Sequence, residues 1–295
     1  MRTHGRKSPT GDPGGTGDRW PDGTRMTAGA TRSTRAASKR RVRFAVLVRL
    51  LLLTAPVRDP REIHVHLREI WRFPVKSMRG EQLKSVELTD NGLTGDRHVH
   101  VRDSRGLLTA RVRSRLLGLS ATTAEDGSVL VDGRPWDSPE AAALIRGAAG
   151  PDAEAVHYTG RERFDVLNLT VITDGAAQAL GHDPRRLRSN LVIGGVPGLA
   201  ERDWPGRTLR IGDAVIGVLK LRSRCVMTTV DPDTGERNHD VLRDIHRLYD
   251  GTFALDCWVA SPGTVAEGDE VRLTDEEWPE PVRGGWIVGA PYVVS

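Results

Sequence analysis

The feature that most constrains this chain is a rhythm of short alternating runs that begins near His66. His66-Leu-Arg-Glu-Ile-Trp-Arg72 and Gln82-Leu-Lys-Ser-Val-Glu-Leu88 place apolar and polar residues at a period of two, the spacing that gives a strand one core face and one wet face. Asn91-Gly92 and Thr94-Gly95-Asp96 supply residues that tolerate tight turns, Arg97-His-Val-His-Val-Arg102 alternates again, and Gly127 to Asp132 continues the pattern. Ser138-Pro-Glu-Ala-Ala-Ala-Leu-Ile-Arg146 breaks it as a helix, with Ser138 as N-cap and Pro139 at the first helical position. Residues 66–160 are therefore expected to form a small β-rich module.

A second region, residues 161–275, opens with Leu167-Asn-Leu-Thr-Val-Ile172, a buried strand that runs into Thr173-Asp-Gly-Ala-Ala-Gln-Ala-Leu180, a short helix capped by Thr173 or Asp174. Ile211-Gly-Asp-Ala-Val-Ile-Gly-Val218 and Glu267-Gly-Asp-Glu-Val-Arg-Leu273 echo each other, each a Gly-Asp turn feeding a strand. Such units with few helices, one of them over Asn238 to Leu248, suggest a closed or nearly closed β-barrel. The expected class is mainly β with short helices (α+β). Residues 276–295, with Pro279, Pro281 and Pro291 and two tryptophans, read as a loosely docked tail.

The first 43 residues are Gly, Arg, Thr and Ser with few apolar positions, too little buried surface to offset chain entropy. The apolar run from Phe44 to Pro56 is interrupted by Arg49, too short to span a bilayer, and lacks a small-residue cleavage site. Residues 1–65 are thus expected to be a disordered extension or an over-long start, with no transmembrane segment. The net charge of +4 comes from this part: residues 1–66 hold 14 Lys/Arg against 5 Asp/Glu, the rest 29 against 34. The acidic body argues against a general nucleic-acid surface. Two cysteines, Cys225 and Cys257, make no disulfide framework and no Cys-x-x-Cys pair, which fits a reducing cytoplasm.

Three segments carry chemistry. Cys225 follows Arg222 and Arg224, and nearby cations favour the thiolate that binds metals and attacks electrophiles; by residues alone, a small apolar filler is the competing reading. Asp183-Pro-Arg-Arg-Leu-Arg-Ser-Asn190 precedes a strand, and on an extended segment Arg186 and Arg188 would point the same way, two forks suited to phosphate or two solvated arginines. Arg72-Phe-Pro-Val-Lys-Ser-Met-Arg-Gly80 offers the Lys76 ammonium and the Ser77 hydroxyl to an anion. His98 and His100 share a predicted strand face without an evident third metal ligand, and His239 and His246 read as surface residues.

Together these segments resemble the MOSC family, the molybdenum-cofactor sulfurase C-terminal domain, preceded by its N-terminal β-barrel partner. Phe73-Pro-Val-Lys-Ser77 and Gly95-Asp96-Arg97 are similar to motifs of the N-terminal module. Arg186-Leu-Arg-Ser-Asn190 is similar to the family's Arg-Phe-Arg-Pro-Asn, followed by Glu201, Trp204 and Gly206 in Glu-x-x-Trp-x-Gly spacing. Ser223-Arg-Cys-Val-Met-Thr-Thr-Val-Asp-Pro-Asp-Thr-Gly235 resembles the cysteine motif of the amidoxime-reducing branch. Ser189 stands where the family has proline, and Asp256 where this branch has tyrosine.

The resemblance implies a molybdenum cofactor (Mo-molybdopterin) with Cys225 as thiolate ligand to the metal. By the same analogy Lys76, Ser77 and Arg97 hold its phosphate, Arg188, Asn190, Thr173, Asp174, Ser223 and Arg224 surround the pterin, and Arg186 supports them. Asp256 becomes a candidate catalytic residue whose carboxylate favours cationic or hydrogen-bond-donating substrates. The implied activity is reduction of N-hydroxylated or N-oxide small molecules by a cytoplasmic oxidoreductase. The chain has neither a flavin fingerprint nor iron–sulfur cysteines, so a separate electron-transfer protein is expected, ferredoxin-like or cytochrome b5-like with a flavin reductase. The alternative is a sulfur carrier or cofactor-delivery protein using a Cys225 persulfide; pyridoxal phosphate is not expected.

Overall fold

The computed structural model describes residues 64–160, 163–279 and 281. The apolar run at 44–56 and most of the expected tail lie outside them. In chain order the first strands are β1 (His66–Arg72), β2 (Glu81–Leu83), β3 (Ser85–Thr89), β4 (Gly92–Leu93), β5 (Val99–Asp103) and β6 (Gly106–Leu108). Then come β7 (Ala121–Thr123), β8 (Val129–Val131), β9 (Arg134–Pro135), helix α1 (Pro139–Ala149) and β10 (Glu154–His157). The second half holds β11 (Leu169–Thr173), α2 (Asp174–Leu180), β12 (Leu191–Gly194), β13 (Thr208–Ile211), β14 (Ala214–Ser223), α3 (His239–Tyr249), β15 (Thr252–Ser261), β16 (Gly263–Ala266) and β17 (Val271–Thr274). The protein is mainly β with short helices.

The three α-helices among the described residues start where local chemistry dictates. Each has a side-chain oxygen accepting one of the backbone N–H groups that a first turn leaves unpaired: Ser138 from Ala141, Thr173 from Ala176 and Asn238 from Asp240. The predicted strand over Gln82 to Leu88 is instead two strands that part at Lys84. β2 pairs with β1 and β3 with β16, so the chain changes sheet within one alternating run.

The largest sheet has eight strands in the order β17-β13-β14-β15-β11-β12-β1-β2, antiparallel except for β11 beside β12. It bends back on itself. Leu67 N donates to Asp269 O (2.8 Å), Gly268 N to Leu67 O (2.8 Å) and Val271 N to Val65 O (2.9 Å), so β1 also meets the β17 end and the barrel closes without a long open edge. Leu67, Ile70, Val171, Ile193, Ile216, Leu255 and Cys257 fill its interior. At Gly217 a Cβ would lie 2.2 Å from the Trp258 ring, so the tryptophan packs flat on bare backbone.

A second core, around Val75, Val99, Val101, Leu116, Val131 and Ile145, joins α1 to the small sheets β10-β5-β6 and β7-β8-β9. A third seats α2 and α3 on Ile172 and Phe253. Strands from both sequence regions thus share sheets, and the loop after β1, the turn before β5 and the end of β14 meet at one place. No described helix is long and apolar enough to cross a membrane.

Candidate functional site

That meeting place is a cavity of 280 Å³. Lys76 and Ser77 reach it from the loop after β1, Arg97 from the turn before β5, Arg186 and Arg188 from the turn before β12, and Ser223, Arg224 and Cys225 from the end of β14. Ser77, Arg97 and Arg188 have φ of 69°, 57° and 55°. Left-handed backbone is unfavourable for residues with a Cβ and persists where surrounding structure enforces it, commonly at functional sites.

Cys225 is extended, half-buried, and sits at the head of a short 3-10 turn over Val226–Thr229. Its carbonyl accepts from Thr228 N (3.0 Å) and Thr228 Oγ1 (2.9 Å), which fixes the backbone and leaves the thiol on the cavity wall. Cys257, by contrast, is fully buried in the barrel, where burial pushes its thiol well above the usual range.

The wall is strongly cationic. Lys76 Nζ donates to Asp165 Oδ1 (2.8 Å) and to Arg163 O (2.7 Å), and Arg111 Nη2 donates to Asp165 Oδ2 (2.8 Å). Burial lowers the Lys76 ammonium to about 8 against the pull of Asp165, with Arg97 and Arg111 adding to the burial. Burial also opposes charge on Asp165, but Lys76, Arg111 and Arg222 outweigh it and hold that carboxyl well below its ordinary value. Arg188 and Arg224 are each lowered to about 9, first by burial and then by a neighbouring arginine; both stay charged at neutral pH.

Those two guanidiniums are only partly used. Arg188 Nη1 donates to Met78 O (2.7 Å) and Arg224 Nη2 to Leu187 O (2.7 Å), while Arg188 Nη2 and Arg224 Nε and Nη1 are buried without a partner. Buried charged donors without acceptors are costly, and here they line a cavity with room for an anion. A phosphate-bearing, hydrogen-bond-rich cofactor fits such a donor set. Cys225 could supply one soft ligand, enough for a metal that arrives on organic sulfur ligands of its own. Among the described residues no group of three or more His, Cys, Asp or Glu is placed to hold a metal ion.

Several expected site residues lie elsewhere. Thr173 and Asp174 belong to the start of α2: Thr173 N donates to Glu201 Oε2 (2.7 Å), and the Asp174 carboxylate accepts from the N–H groups of Gly175, Gly195 and Val196. Asn190 lies behind the wall, bridging Thr170 N (3.2 Å), Trp71 O (3.1 Å) and Asp96; Asp96 is in turn ion-paired with Arg97. Arg186 and Arg188 do not point the same way, because residues 184–187 form a 3-10 turn rather than an extended segment. Arg186 binds Thr229 O and Asp231, whereas Arg188 lies over the Phe73 ring.

Asp256 is fully buried on β15 and ion-paired with Arg222. Arg222, not Asp256, lines the cavity, so the charge on the wall at this point is positive, opposite to the sequence expectation. Burial opposes charge on Arg222, but Asp256 and Asp165 more than compensate and raise it above the ordinary arginine value. His100 is buried too, its Nε2 against Arg97 O (3.1 Å), and burial followed by the Lys76 charge lowers it to about 3. Sequence reading missed Arg111, Asp165, Val166 and Leu167 on the wall.

Comparison with known proteins agrees with this architecture. The MOSC N-terminal beta barrel domain matches residues 64–163 and the MOSC domain residues 146–272. The chain is 25% identical over 285 residues to mitochondrial amidoxime-reducing component 1 of Mus musculus, covering 70% of this chain and 81% of that protein. For the Homo sapiens protein of the same name the identity is 23% over 281 residues, covering 70% and 82%. A molybdenum cofactor sulfurase of Bombyx mori is 32% identical over 94 residues, 32% of this chain and 11% of that protein. The chain therefore belongs to the MOSC family, with a MOSC N-terminal beta barrel domain followed by a MOSC domain.

Proposed function

We propose that the chain binds a molybdenum cofactor, with Cys225 as the protein's ligand to the metal, and reduces N-oxygenated small molecules with electrons from a separate protein. The observation that carries this reading is the set of buried, unpartnered guanidinium donors on Arg188 and Arg224 in the cavity that Cys225 lines. The names of the relatives point to molybdenum-cofactor chemistry of two kinds, amidoxime reduction and cofactor sulfuration. The first is similar over most of this chain, the second over about a third of it.

Lys76, Ser77 and Arg97 would hold the cofactor's phosphate, and Arg188, Ser223 and Arg224 would donate to its pterin. Arg186, held by Asp231 (2.6 Å), keeps the turn carrying Arg188 in place. Asp165 balances part of the positive charge and orients Lys76 and Arg111. Arg222 presents a cation beside Cys225, where it would hold a hydrogen-bond acceptor or anionic group of the substrate. When bound, the cofactor would supply two-electron oxygen-atom chemistry, in which the N–O bond breaks and the oxygen leaves as water after uptake of two electrons and two protons, with N–H in place of N–O where the substrate is N-hydroxylated and the free amine where it is an N-oxide. A ferredoxin-like or cytochrome b5-like donor with a flavin reductase is the partner class proposed.

The test is metal and pterin analysis of wild type beside Cys225→Ala, both from a host competent in molybdenum-cofactor synthesis. Near-stoichiometric molybdenum in wild type, with thiolate coordination and activity on N-hydroxylated compounds lost in the variant, is the expected result. Absence of both molybdenum and pterin from both proteins would overturn it and leave sulfur transfer through a Cys225 persulfide.

A further inference from the structure

A second cavity, 320 Å³, shares a wall with the first: Arg186, Arg188 and Met227 line both. The rest of its lining is of another kind. Trp71, Phe73, Leu117, Ile172 and Val192 give it aromatic and aliphatic faces. Two further lining residues carry buried polar atoms without a partner, Arg79 Nε and Ser189 Oγ, and Ser189 is only 7% exposed. The carboxylates in the lining are already committed. Asp233 is paired with Arg185 (2.5 Å), and Glu69 Oε2 accepts from Trp71 Nε1 (2.8 Å).

A chamber with aromatic and aliphatic faces and with unused buried donors on Arg79 and Ser189 selects a ligand that is flat and apolar over most of its surface and carries an acceptor at one end. Its volume lies at the small end of pockets that take organic ligands, about 300–1,000 Å³. Arg79 makes a charged acceptor better than a neutral one, because a charge-assisted hydrogen bond is roughly twice as strong. Ser189 can donate to the same group.

We propose that this cavity binds a planar aromatic anion of about two fused rings, consistent with the size range above, with its rings against Trp71, Phe73 and Ile172 and its carboxylate on Arg79 and Ser189. The site is separate from the one proposed for the cofactor and does not depend on the chain being a reductase. Through Arg186 and Arg188 its occupant would touch the back of the cofactor wall.

The test is calorimetric titration of the purified full-length chain with 2-naphthoate and with the neutral isostere 2-naphthalenemethanol. Naphthoate should bind at one equivalent and about tenfold more tightly than the alcohol, the gain expected of one charge-assisted contact. Arg79→Gln should bring the two ligands within about twofold of each other, and Val192→Phe, which fills the chamber, should weaken both about tenfold or more. Arg111→Gln, on the first cavity only and paired there with Asp165, should leave both affinities within about twofold, since residues that share no partner act independently. Thermal unfolding of each variant checks that it is folded, and Arg79→Gln decides alone if Val192→Phe is not. Loss of naphthoate binding in Arg111→Gln with none in Arg79→Gln would place the ligand in the first cavity and overturn the proposal. Equal affinity for acid and alcohol, or no binding of either, would overturn it as well.

Discussion

The Arg222–Asp256 pair allows a quantitative test of how the barrel tolerates charge. Asp256 is completely buried and the Arg222 side chain is 19% exposed, so each ion has given up most of its hydration. Removing one partner of such a pair leaves an uncompensated charge and costs about 3–5 kcal/mol, whereas replacing both with apolar residues of similar volume is often neutral or stabilising. Asp256→Leu alone should therefore lower stability by about 3 kcal/mol or more, which for a body of this size is a fall in Tm of about 10 °C. Arg222→Met alone should do the same by leaving the Asp256 carboxylate, whose Oδ2 already has no partner, without its cation. The double variant should recover to within about 1 kcal/mol of wild type, giving a coupling energy of several kcal/mol. Urea unfolding of the four proteins measures the cycle. Additive losses, with the double variant the least stable of the four, would refute the reasoning and mean that each residue is held by other neighbours.

Other consequences follow from the same physical reading. Burial raises Glu201 to about 7 although Thr173 N donates to it, so the folded state binds this proton more tightly than the unfolded chain. The associated stability is full below the unfolded value of 4.5 and is lost as pH rises through 7, a difference of up to about 3 kcal/mol; Glu201→Gln should flatten that part of the Tm–pH curve, and an unchanged curve would refute it. Lys76, lowered to about 8, should lose its charge two units before an ordinary lysine, so phosphate affinity of the cofactor-free protein should fall as pH rises through about 8, a step that Lys76→Met removes. At Gly175 a Cβ would lie 2.2 Å from Val196 O and 2.6 Å from Gly198 N, contacts with backbone that cannot rotate away; Gly175→Ala should cost about 3 kcal/mol or more in an unfolding titration.

The fold was legible where local pattern decides structure. Alternation located β1, β5 and β8, a continuous apolar run located β11, and cap residues located α1 and α2, because strand faces and N-terminal turns are set within a few residues. The candidate cavity was legible where a motif places residues on a loop: Lys76, Ser77, Arg97, Arg188, Ser223, Arg224 and Cys225 all line it. Thr173 and Asp174 show the limit. A polar pair ahead of an apolar helix serves equally as cap or ligand, and what settles its use is the pair of N–H groups of Gly195 and Val196, brought alongside by strand pairing. Asp256 was placed correctly along the chain, but Arg222, which neutralises it, comes from the adjacent strand β14. Asp165 and Arg111 have no local signature, since their role exists only once Lys76 is beside them.

The same cavity should make the empty protein less stable than its sequence would allow. Burial, joined by Arg97 beside Arg188 and by Arg222 beside Arg224, lowers both from 12.5 to about 9, a penalty of up to about 5 kcal/mol each at full value, and among the described residues nothing pairs Arg188 Nη2 or Arg224 Nε and Nη1. An anion that enters repays this in proportion to its affinity: a ligand at a hundred times its Kd stabilises by about 2.7 kcal/mol, or roughly 5–10 °C in Tm. Wild-type protein without cofactor should therefore gain Tm steadily with added phosphate or pyrophosphate. Arg224→Met should do the opposite on both counts, matching or exceeding wild-type Tm in anion-free buffer and responding weakly to added anion, the trade of stability for function expected where a site is strained to bind. Should Arg224→Met instead lower the anion-free Tm by several degrees while keeping the full anion response, the guanidinium would be a structural tie to Leu187 O and not a donor held in reserve.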